Sequence, residues 1–469
     1  MAREIEADYH QILLFPPSLE DWVAADHPAR FLREFVDSLD LSKLGFRERP
    51  SEEGRPAYSN SLLLKVWLYG YLNRIRSSRG LERACREHLS LIWLTGNHAP
   101  DHNTLWRFLK ENLGSFKEVF KRCVGVAVEA ELVELVMQAV DGTKVAAAAS
   151  RRTGWHRGEL EKRLQEVEEW LEARLKESVA EGGEEGGGYR LPAEVQAREE
   201  LRSRIAGALA RLGEVDRDHL HPGEAEARMM KCGEGKRFGY NAQAVVAGGS
   251  GLIVGAEVVN AESDAHLLTG MVGEAAATVG KAAGETVADG GYFSGEELAR
   301  AEELQYPVVV NLGAEAGEEK GFQSSRFRYE EEANRVICPR GEGLEFERKK
   351  ASRRGEYEVA VYRCRSFREC PCRAECSSDP RGRMIEISPY HGAVTRQREK
   401  QKRPEKADLL KKRMGLIERV FGQIKEALGF RRFALRGLAG AGAQWSLICT
   451  AYNLQRLYPA WREGFLVLV

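Results

Sequence analysis

The chain has 469 residues, of which 43% are hydrophobic and 30% charged, and its formal net charge is -1. This length allows two or three domains with a substantial buried core, and the composition is ordinary for a soluble protein. The first six residues lack the apolar stretch of a secretory signal, and no apolar run is long enough to span a bilayer. We therefore expect a cytoplasmic protein with no membrane partner.

The nearly neutral total hides a segregation of charge along the chain. Residues 396–436 hold fourteen Lys and Arg against five acidic residues, whereas residues 157–200 hold thirteen acidic residues against seven Lys and Arg. Because the local field at a binding face matters more than the total charge, the basic stretch favours a polyanionic partner. Its candidate DNA-binding residues are Arg419, Lys425, Arg431 and Arg432.

Residues 1–130 are predicted to form a helical N-terminal domain that binds DNA. Apolar residues recur in it at intervals of three and four, which is typical of amphipathic helices. The repeats are Leu63, Val66, Trp67, Gly70 and Tyr71, then Leu105, Phe108, Leu109 and Leu113. Asp101 or Asn103 is placed to cap the second helix. Arg74, Arg79 and Arg107 are candidates for phosphate contact, and the alternative is an ordinary solvated helical face.

Strands and helices alternate through the rest of the chain, and two insertions interrupt them. Residues 157–235 are expected to form an inserted helical hairpin around a flexible linker, Gly182–Gly188, and residues 322–388 a cysteine-rich insert. The remaining segments, 131–156, 236–321 and 389–458, form the predicted core. Its strands are expected at Leu132–Val140, Tyr240–Val246, Leu252–Val259, Glu285–Ala288 and Val308–Asn311, and its helices at Asp264–Val279, Ser294–Leu304, Leu409–Leu428 and Leu438–Leu457. This order predicts an α/β fold with an RNase H-like mixed sheet.

Three acidic residues occupy informative places in that core. Asp141 closes the first predicted strand, Asp289 closes the fourth, and Glu418 lies on a basic helix. Carboxylates delivered by two strand ends and one helix can hold a pair of Mg²⁺ ions about 4 Å apart, which activate an oxygen nucleophile and stabilise a 3′-oxygen leaving group. We take all three as candidate catalytic and metal-binding residues.

The helix around Glu418 adds a second signal. In a continuous α-helix, Glu418, Phe421, Gly422 and Lys425 share one face, so that Lys425 can reach a phosphate near the metal. A glycine inside a helix costs about 1 kcal/mol relative to alanine, which calls for a packing or binding reason at Gly422.

Asp264, with His266 beside it, is the rival of Asp289 for the second acidic position. We expect Asp264 to cap the following helix instead, because it stands at the predicted helix boundary. Asp289 is preferred because an apolar strand precedes it and the glycines at positions 290 and 291 allow close approach of the backbone.

Five of the nine cysteines lie within 39 residues, and arginines surround them. They are Cys338, Cys364, Cys370, Cys372 and Cys376. Their spacing differs from that of paired zinc ribbons, yet a segment this polar needs a staple to fold, so we expect one structural Zn²⁺. The alternative is reduced thiols without metal. The neighbouring arginines suggest that the insert touches DNA.

Several segments resemble the DDE transposases of bacterial insertion sequences, in the group with a helical N-terminal domain and a cysteine-bearing insert. The resemblance covers about residues 10–458. It rests on the segments Ser61–Tyr71, Pro100–Phe108, Asp141–Lys144, Gly239–Gln243, Ala288–Phe293 and Ile417–Leu435.

This resemblance implies that Asp141, Asp289 and Glu418 bind two Mg²⁺ ions. It further implies an endonuclease that nicks transposon ends and joins the freed 3′-hydroxyl to target DNA. Its expected partner is double-stranded DNA, both terminal inverted repeats and target, and a homodimer is expected when two ends are paired. Such a protein would be associated with the nucleoid. Relatives in a neighbouring branch carry Tyr and Arg upstream of the Glu, where this chain has Lys411 and Met414.

Two other functions are compatible with the same residues. The first is a nuclease that cuts DNA without strand transfer, and the second is a DNA-binding protein that has lost catalysis. The basic helical segments on both sides of the predicted core favour recognition of DNA ends. The presence of all three acidic residues argues against lost catalysis.

Overall fold

The structure is a computed structural model that describes residues 18–47, 56–180, 193–233, 235–313, 321–352, 355 and 357–468. The predicted linker Gly182–Gly188 lies outside the described residues. Contacts divide the chain into two compact units. The first unit comprises Met1–Leu132, Val145–Tyr240 and Gly422–Val469, and the second comprises Val133–Lys144 and Asn241–Phe421.

The first unit is built mainly from helices. They are α1 (Pro28–Asp37), α2 (Asn60–Leu72), α3 (Ser78–Glu87), α4 (Leu89–Leu94), α5 (His102–Glu111), α6 (Ser115–Glu129), α7 (Arg157–Ala180), α8 (Ala193–Glu214) and α14 (Leu438–Arg462). Helix α14 packs on α1, α2 and α6, so the last helix of the chain completes the core of the first six. Trp67 of α2 and Trp445 of α14 are fully buried there.

Local signals explain where these helices begin. The Ser59 side chain accepts a hydrogen bond from the backbone N–H of Leu62 at the start of α2. Asp101 accepts from the N–H groups of Asn103 and Thr104 at 2.9 and 3.0 Å, so Asp101 is the cap of α5. The predicted inserted helices are present as α7 and α8, which pack together around Val167, Leu171 and Ile205.

The second unit contains a mixed sheet in the strand order β6-β5-β1-β7-β8. Its strands are β1 (Gln138–Ala146), β5 (Gly235–Ala247), β6 (Ile253–Val259), β7 (Thr286–Ala288) and β8 (Val308–Val310). Strands β1, β7 and β8 are parallel, and β5 and β6 form an antiparallel pair. This order confirms the predicted α/β fold with an RNase H-like core. In the first unit, β4 (Arg228–Cys232) pairs with the first half of β5, and β2 (Trp155–His156) pairs with β3 (His219–Leu220).

Four longer helices accompany that sheet. They are α9 (Leu268–Val279), α10 (Gly295–Glu303), α12 (His391–Lys402) and α13 (Pro404–Gly422). Helix α9 packs on β6, and α12 packs on α10 and β8. A π-helical turn, Gln423–Ala427, follows α13. In the described part of the chain, no helix is long and apolar enough to cross a membrane.

One strand boundary was predicted wrongly. The expected strand Leu132–Val140 ends at Asp141, whereas β1 begins at Gln138 and continues to Ala146. Thr143, Val145 and Ala146 are buried, and their burial extends the strand. Asp141 therefore lies inside a strand rather than at its end.

The cysteine-rich insert forms a five-stranded antiparallel sheet in the order β13-β12-β11-β10-β9. The strands are β9 (Arg328–Glu330), β10 (Arg335–Ile337), β11 (Gly343–Ala351), β12 (Glu358–Cys364) and β13 (Met384–Ile387), with a short helix, α11 (Arg373–Cys376). Phe327, Val336, Leu344 and Tyr362 are buried together. The expectation that this segment cannot build a core without a metal is wrong, because alternating apolar residues on the strands supply one.

A buried carboxylate joins three distant segments of the first unit. Glu224 is 4% exposed and accepts hydrogen bonds from Ala149 N at 2.7 Å, Tyr240 Oη at 3.0 Å and Gly437 N at 3.2 Å. Ala149 precedes α7, Tyr240 lies on β5, and Gly437 precedes α14. Glu224 thus holds together parts of the chain that are up to 288 residues apart in sequence, Ala149 and Gly437.

We expect Glu224→Ala to lower the free energy of unfolding by about 2–4 kcal/mol, because it leaves three buried or half-buried donors without an acceptor. Urea unfolding followed by circular dichroism measures this loss. The control is Glu214→Ala at the exposed end of α8. Equal stability of the two variants would contradict the role given to Glu224.

Candidate active site

Two of the predicted acidic residues come together through the register of parallel strands. Gln138 of β1 pairs with Thr286 of β7, and Ala139 pairs with Val287. The same offset brings Asp141 level with Asp289, the residue that follows β7. The Asp289 carboxylate accepts a hydrogen bond from Gly291 N at 2.9 Å, which orients its side chain over the turn Gly290–Tyr292.

A single guanidinium lies between these two carboxylates. Arg413 of α13 is 8% exposed, and its Nη2 atom is 2.9 Å from Asp141 Oδ2 and 3.3 Å from Asp289 Oδ2. Neither Nη2 nor Nε has a partner of proper hydrogen-bond geometry in the part of the chain that the structure describes. The contact is therefore chiefly an attraction between charges, with little directional hydrogen bonding.

The surroundings of Asp141 disfavour its negative charge. The pKa of Asp141 is raised to about 6, chiefly by burial, and the negative charges of Asp289 and Asp264 also contribute to the increase. The Arg413 guanidinium and the hydrogen bond from Gly142 N act in the opposite direction. Because burial and mutual repulsion both disfavour these negative charges, a positive charge between the carboxylates stabilises them.

Asp264 is the third carboxylate of this cluster. It was expected to cap α9, but that prediction is wrong, because α9 begins after Leu267 and has no side-chain cap. Its Oδ1 atom instead accepts from Lys144 Nζ at 3.0 Å, Asn241 Nδ2 at 2.6 Å and Gln243 Nε2 at 2.8 Å. Three donors on β1 and β5 thus hold the carboxylate toward the sheet.

Glu418 occupies a different face of α13. It lies five residues after Arg413, which places it about 140° around the helix axis. Arg413, Ile417 and Val420 are buried, whereas Glu418 is exposed. The structure brings Asp141, Asp289 and Asp264 together and leaves Glu418 outside that cluster.

The predicted common face of Glu418 and Lys425 assumed a continuous α-helix. The helix changes to π geometry over Gln423–Ala427, where hydrogen bonds join residues five apart, so α-helical spacing does not hold across this segment. Among the described atoms, none lies within 4 Å of a Cβ built on Gly422, so packing does not explain this glycine.

The carboxylate cluster suits a hard divalent cation by its chemistry. Mg²⁺ prefers carboxylate oxygens, and the cluster already attracts two cationic side chains, Arg413 and Lys144. No group of three or more His, Cys, Asp or Glu side chains in the described residues has the spacing of a metal site. Arg413 lies in the gap where a bridging cation would bind, so an ion would have to displace it.

The predicted DNA-binding residues fall into two groups. The first group, Arg74, Arg79 and Arg107 in the first unit and Arg419 in the second, is exposed. The second group, Lys425, Arg431 and Arg432, makes contacts within the first unit, although Arg431 and Arg432 are exposed as well. Arg431 pairs with Glu426, and Lys425 is half-buried in the π-helical turn.

Arg432 has a structural partner for its guanidinium. Its Nε donates to the carbonyl of Ala147 at 2.9 Å, and its Nη2 donates to the carbonyl of Ala148 at 2.6 Å. These bonds tie the segment after the π-helical turn to the end of β1, so much of the donor capacity of Arg432 serves the fold.

The five cysteines of the insert lie near one another. Cys364 is buried in the core of the insert, and Cys338 and Cys376 pack against it. Negative charge on Cys370 and Cys338 contributes to raising the pKa of Cys364 and Cys376, after burial. The guanidinium of Arg340 lies 3.1 Å from Cys372 Sγ. The thiols are therefore close to one another, but no three of these five have the spacing of metal ligands.

Two protein families match the sequence. Residues 337–458 match a family described as a transposase DDE domain, and residues 17–111 match one described as a transposase domain (DUF772). These two matches support an insertion-sequence DDE transposase. Glu418 lies within the first match, and Asp141 and Asp289 lie outside both. No curated protein and no solved structure matches the chain.

Several residues around the carboxylate cluster were not predicted from the sequence. Arg413 gave no signal, because it is one of fourteen Lys and Arg in residues 396–436. Lys144, Asn241 and Gln243 belong to segments on which the family resemblance rests, but nothing in the sequence indicated that they contact Asp264. Tyr292, fully buried, donates its hydroxyl hydrogen bond to Gln243 Oε1.

We expect Arg413→Met to lower stability without metal and to increase the stabilisation that Mg²⁺ provides. The variant leaves two carboxylates uncompensated and removes the cation that competes with metal. A tenfold gain in affinity adds about 1.4 kcal/mol of stabilisation at saturating metal.

Melting temperatures with Mg²⁺ and with a chelator measure this effect. Arg419→Met, at an exposed position on the same helix, is the control. The assignment fails if Mg²⁺ shifts the Arg413→Met and Arg419→Met variants equally.

Proposed function

We propose that this transposase binds the terminal inverted repeats of its element and cleaves phosphodiester bonds there in a reaction that depends on Mg²⁺. It then joins the freed 3′ ends to target DNA. The observation that carries the proposal is the pair Asp141 and Asp289, bridged by the buried Arg413. Glu418 remains the predicted third acidic residue of a two-metal site.

For phosphodiester cleavage, the main task of the protein is to position charged groups. Two bound Mg²⁺ ions would activate the attacking oxygen and stabilise the leaving 3′-oxygen. Asp141 and Asp289 would hold them, because both carboxylates lie close to the Nη2 atom of Arg413 and so face a common point. Arg413, once displaced, is a guanidinium beside the reaction centre and suited to a phosphate oxygen.

DNA recognition is proposed for exposed basic residues. Arg74, Arg79 and Arg107 in the first unit and Arg419 in the second are exposed and suited to phosphate contact. The match of residues 17–111 to a transposase domain supports a role of this region in transposition. Because two ends must be handled together, we propose a homodimer on paired ends.

The two family matches favour transposition over the other candidate functions. A nuclease confined to hydrolysis needs the acidic cluster alone, whereas both matched families are transposase domains. A silent DNA-binding protein would be under no constraint to keep carboxylates gathered at a cost in repulsion around Asp141.

We expect Asp141→Asn to reduce cleavage by at least about a thousandfold and to leave DNA binding unchanged, because it removes a charge from the centre and no basic residue. The substrate is DNA that carries the flanking repeat ends, with Mg²⁺ or Mn²⁺. Products are separated on a gel, and binding is measured by mobility shift.

The control is Asp26→Asn, an exposed aspartate of the first unit. Joined products from the wild type support strand transfer, cleavage alone indicates a nuclease, and a shifted but intact band indicates a silent binder. Normal cutting by Asp141→Asn would show that the site is elsewhere.

We also propose that the clustered thiols of the insert bind one structural Zn²⁺. The support is their proximity around the core of the insert and the arginine beside Cys372. Since the insert has an apolar core of its own, zinc would stabilise the loops and not create the fold.

Elemental analysis tests this proposal, with about one Zn²⁺ per chain expected. Cys370→Ser should lose the metal and keep the strands, whereas Cys449→Ser, at a buried thiol of α14, should keep the metal. Purified wild-type protein without zinc, and no binding of added zinc, would leave the thiols reduced and unligated.

A further inference from the structure

Helix α5 turns one face away from the rest of the first unit. Asn103, Trp106, Arg107 and Lys110 are exposed and are spaced i, i+3, i+4 and i+7, so they share one side of the helix. We propose that this face enters the major groove of the terminal repeat, where Asn103 and Trp106 read base edges. The inference rests on the proposed binding of transposon ends, and it names the helix and the side chains that supply the sequence preference.

The opposite face of α5 anchors the helix in the first unit. Leu105, Phe108 and Leu109 are buried. The indole Nε1 of Trp67, on α2, donates a hydrogen bond to the Leu105 carbonyl at 3.1 Å. The exposed side chains therefore stand on a fixed support, which lowers the entropic cost of ordering them when a ligand binds.

Helix α3 is tied to the start of α5 by one carboxylate. Glu82 Oε2 accepts hydrogen bonds from His102 N at 3.1 Å and from His102 Nδ1 at 2.8 Å. Its Oε1 atom accepts from Arg86 Nη2 at 3.1 Å, so a guanidinium of α3 lies near the first turn of α5. Arg79 and Arg83 are exposed on the same side of α3 as Arg86, seven and three residues before it. A basic helix thus accompanies the exposed face of α5.

The side chains on this face suit the major groove of duplex DNA. The amide of Asn103 can accept from N6 of adenine and donate to N7, a pairing that distinguishes adenine from the other bases. The indole of Trp106 is 40% exposed and offers an apolar surface to a thymine methyl group. Arg107 and Lys110 follow along the helix and are suited to the phosphates that flank the groove. A helix with its side chains is about 10–12 Å across, and the groove is about 12 Å wide.

The charge of this surface favours a polyanion. Asp101 and Glu82 accept hydrogen bonds from backbone N–H groups in the first turn of α5, and Glu111 lies at the last residue of the helix. The exposed face itself carries two cations and no acidic side chain, and α3 adds three exposed arginines. The match of residues 17–111 to a transposase domain ends at the last residue of α5, so this helix is part of the matched domain.

Binding of the full-length protein to two DNA duplexes, measured by fluorescence anisotropy, tests the proposal. One duplex carries the terminal repeat from the DNA that flanks the gene, and the other has the same bases in scrambled order. We expect Asn103→Ala and Trp106→Ala to lose about tenfold in affinity for the repeat and to bind the scrambled duplex as the wild type does. Arg79→Gln should weaken binding to both duplexes alike, because it removes a phosphate contact. Gln196→Ala, at an exposed amide of α8, is the control and should change neither affinity.

Modified bases locate the contact of Asn103. Replacing one adenine of the repeat with 7-deazaadenine removes the N7 acceptor from the major groove. At one position this replacement should weaken binding of the wild type and leave binding of Asn103→Ala unchanged, because the variant no longer makes that hydrogen bond. If every replacement affects the two proteins equally, Asn103 does not contact an adenine edge and the inference is wrong.

The outcomes separate this inference from the proposed function. If the wild type prefers the repeat and both α5 variants keep that preference, another part of the chain reads the sequence, and the proposed end binding stands without α5. If Asn103→Ala weakens binding to both duplexes equally, α5 does not read bases and the inference is wrong. A wild type that binds both duplexes equally, or neither, contradicts the proposed end binding itself. Circular dichroism of each variant checks that the fold is intact.

Discussion

The attraction of Asp141 and Asp289 to one buried guanidinium is the interaction on which the site depends. Two carboxylates brought level by adjacent parallel strands repel each other, and partial burial strengthens that repulsion. Arg413 offsets it from α13. Because the Asp141 side chain is only 23% exposed, loss of Arg413 would leave its charge poorly compensated, so the cluster needs a cation, from the protein or from solution.

The need for a cation beside the carboxylates follows from the register of the sheet and from Gly142. The parallel register of β1 and β7 carries the aspartates to one edge, and Gly142 leaves space for the network that brings Asp264 to the same place. Lys144 and Arg413 then neutralise the cluster. On the proposed function, a metal ion would take the place between Asp141 and Asp289 that the Arg413 guanidinium holds. Metal binding and a movement of Arg413 are coupled in this account.

The sequence predicted the elements and the two aspartates well, because both depend on local pattern. Apolar runs followed by an acidic residue and glycine marked β1 and β7, whose register brings Asp141 level with Asp289, although Asp141 lies inside β1 and not at its end. Arg413 was not predictable, since nothing local separates it from the other basic residues of its helix. Asp264 was taken for a helix cap, because a boundary position looks the same whether its carboxylate turns to its own helix or to a neighbouring strand. The core of the insert was missed because its apolar residues are dispersed among arginines.

The most direct measurement is a crystal structure of the transposase grown with Mn²⁺, with anomalous scattering used to locate the ion. We expect an anomalous peak between the carboxylates of Asp141 and Asp289, with the Arg413 guanidinium moved out of that gap. Full Mn²⁺ occupancy elsewhere on the chain, with Arg413 still in contact with both aspartates, would contradict it.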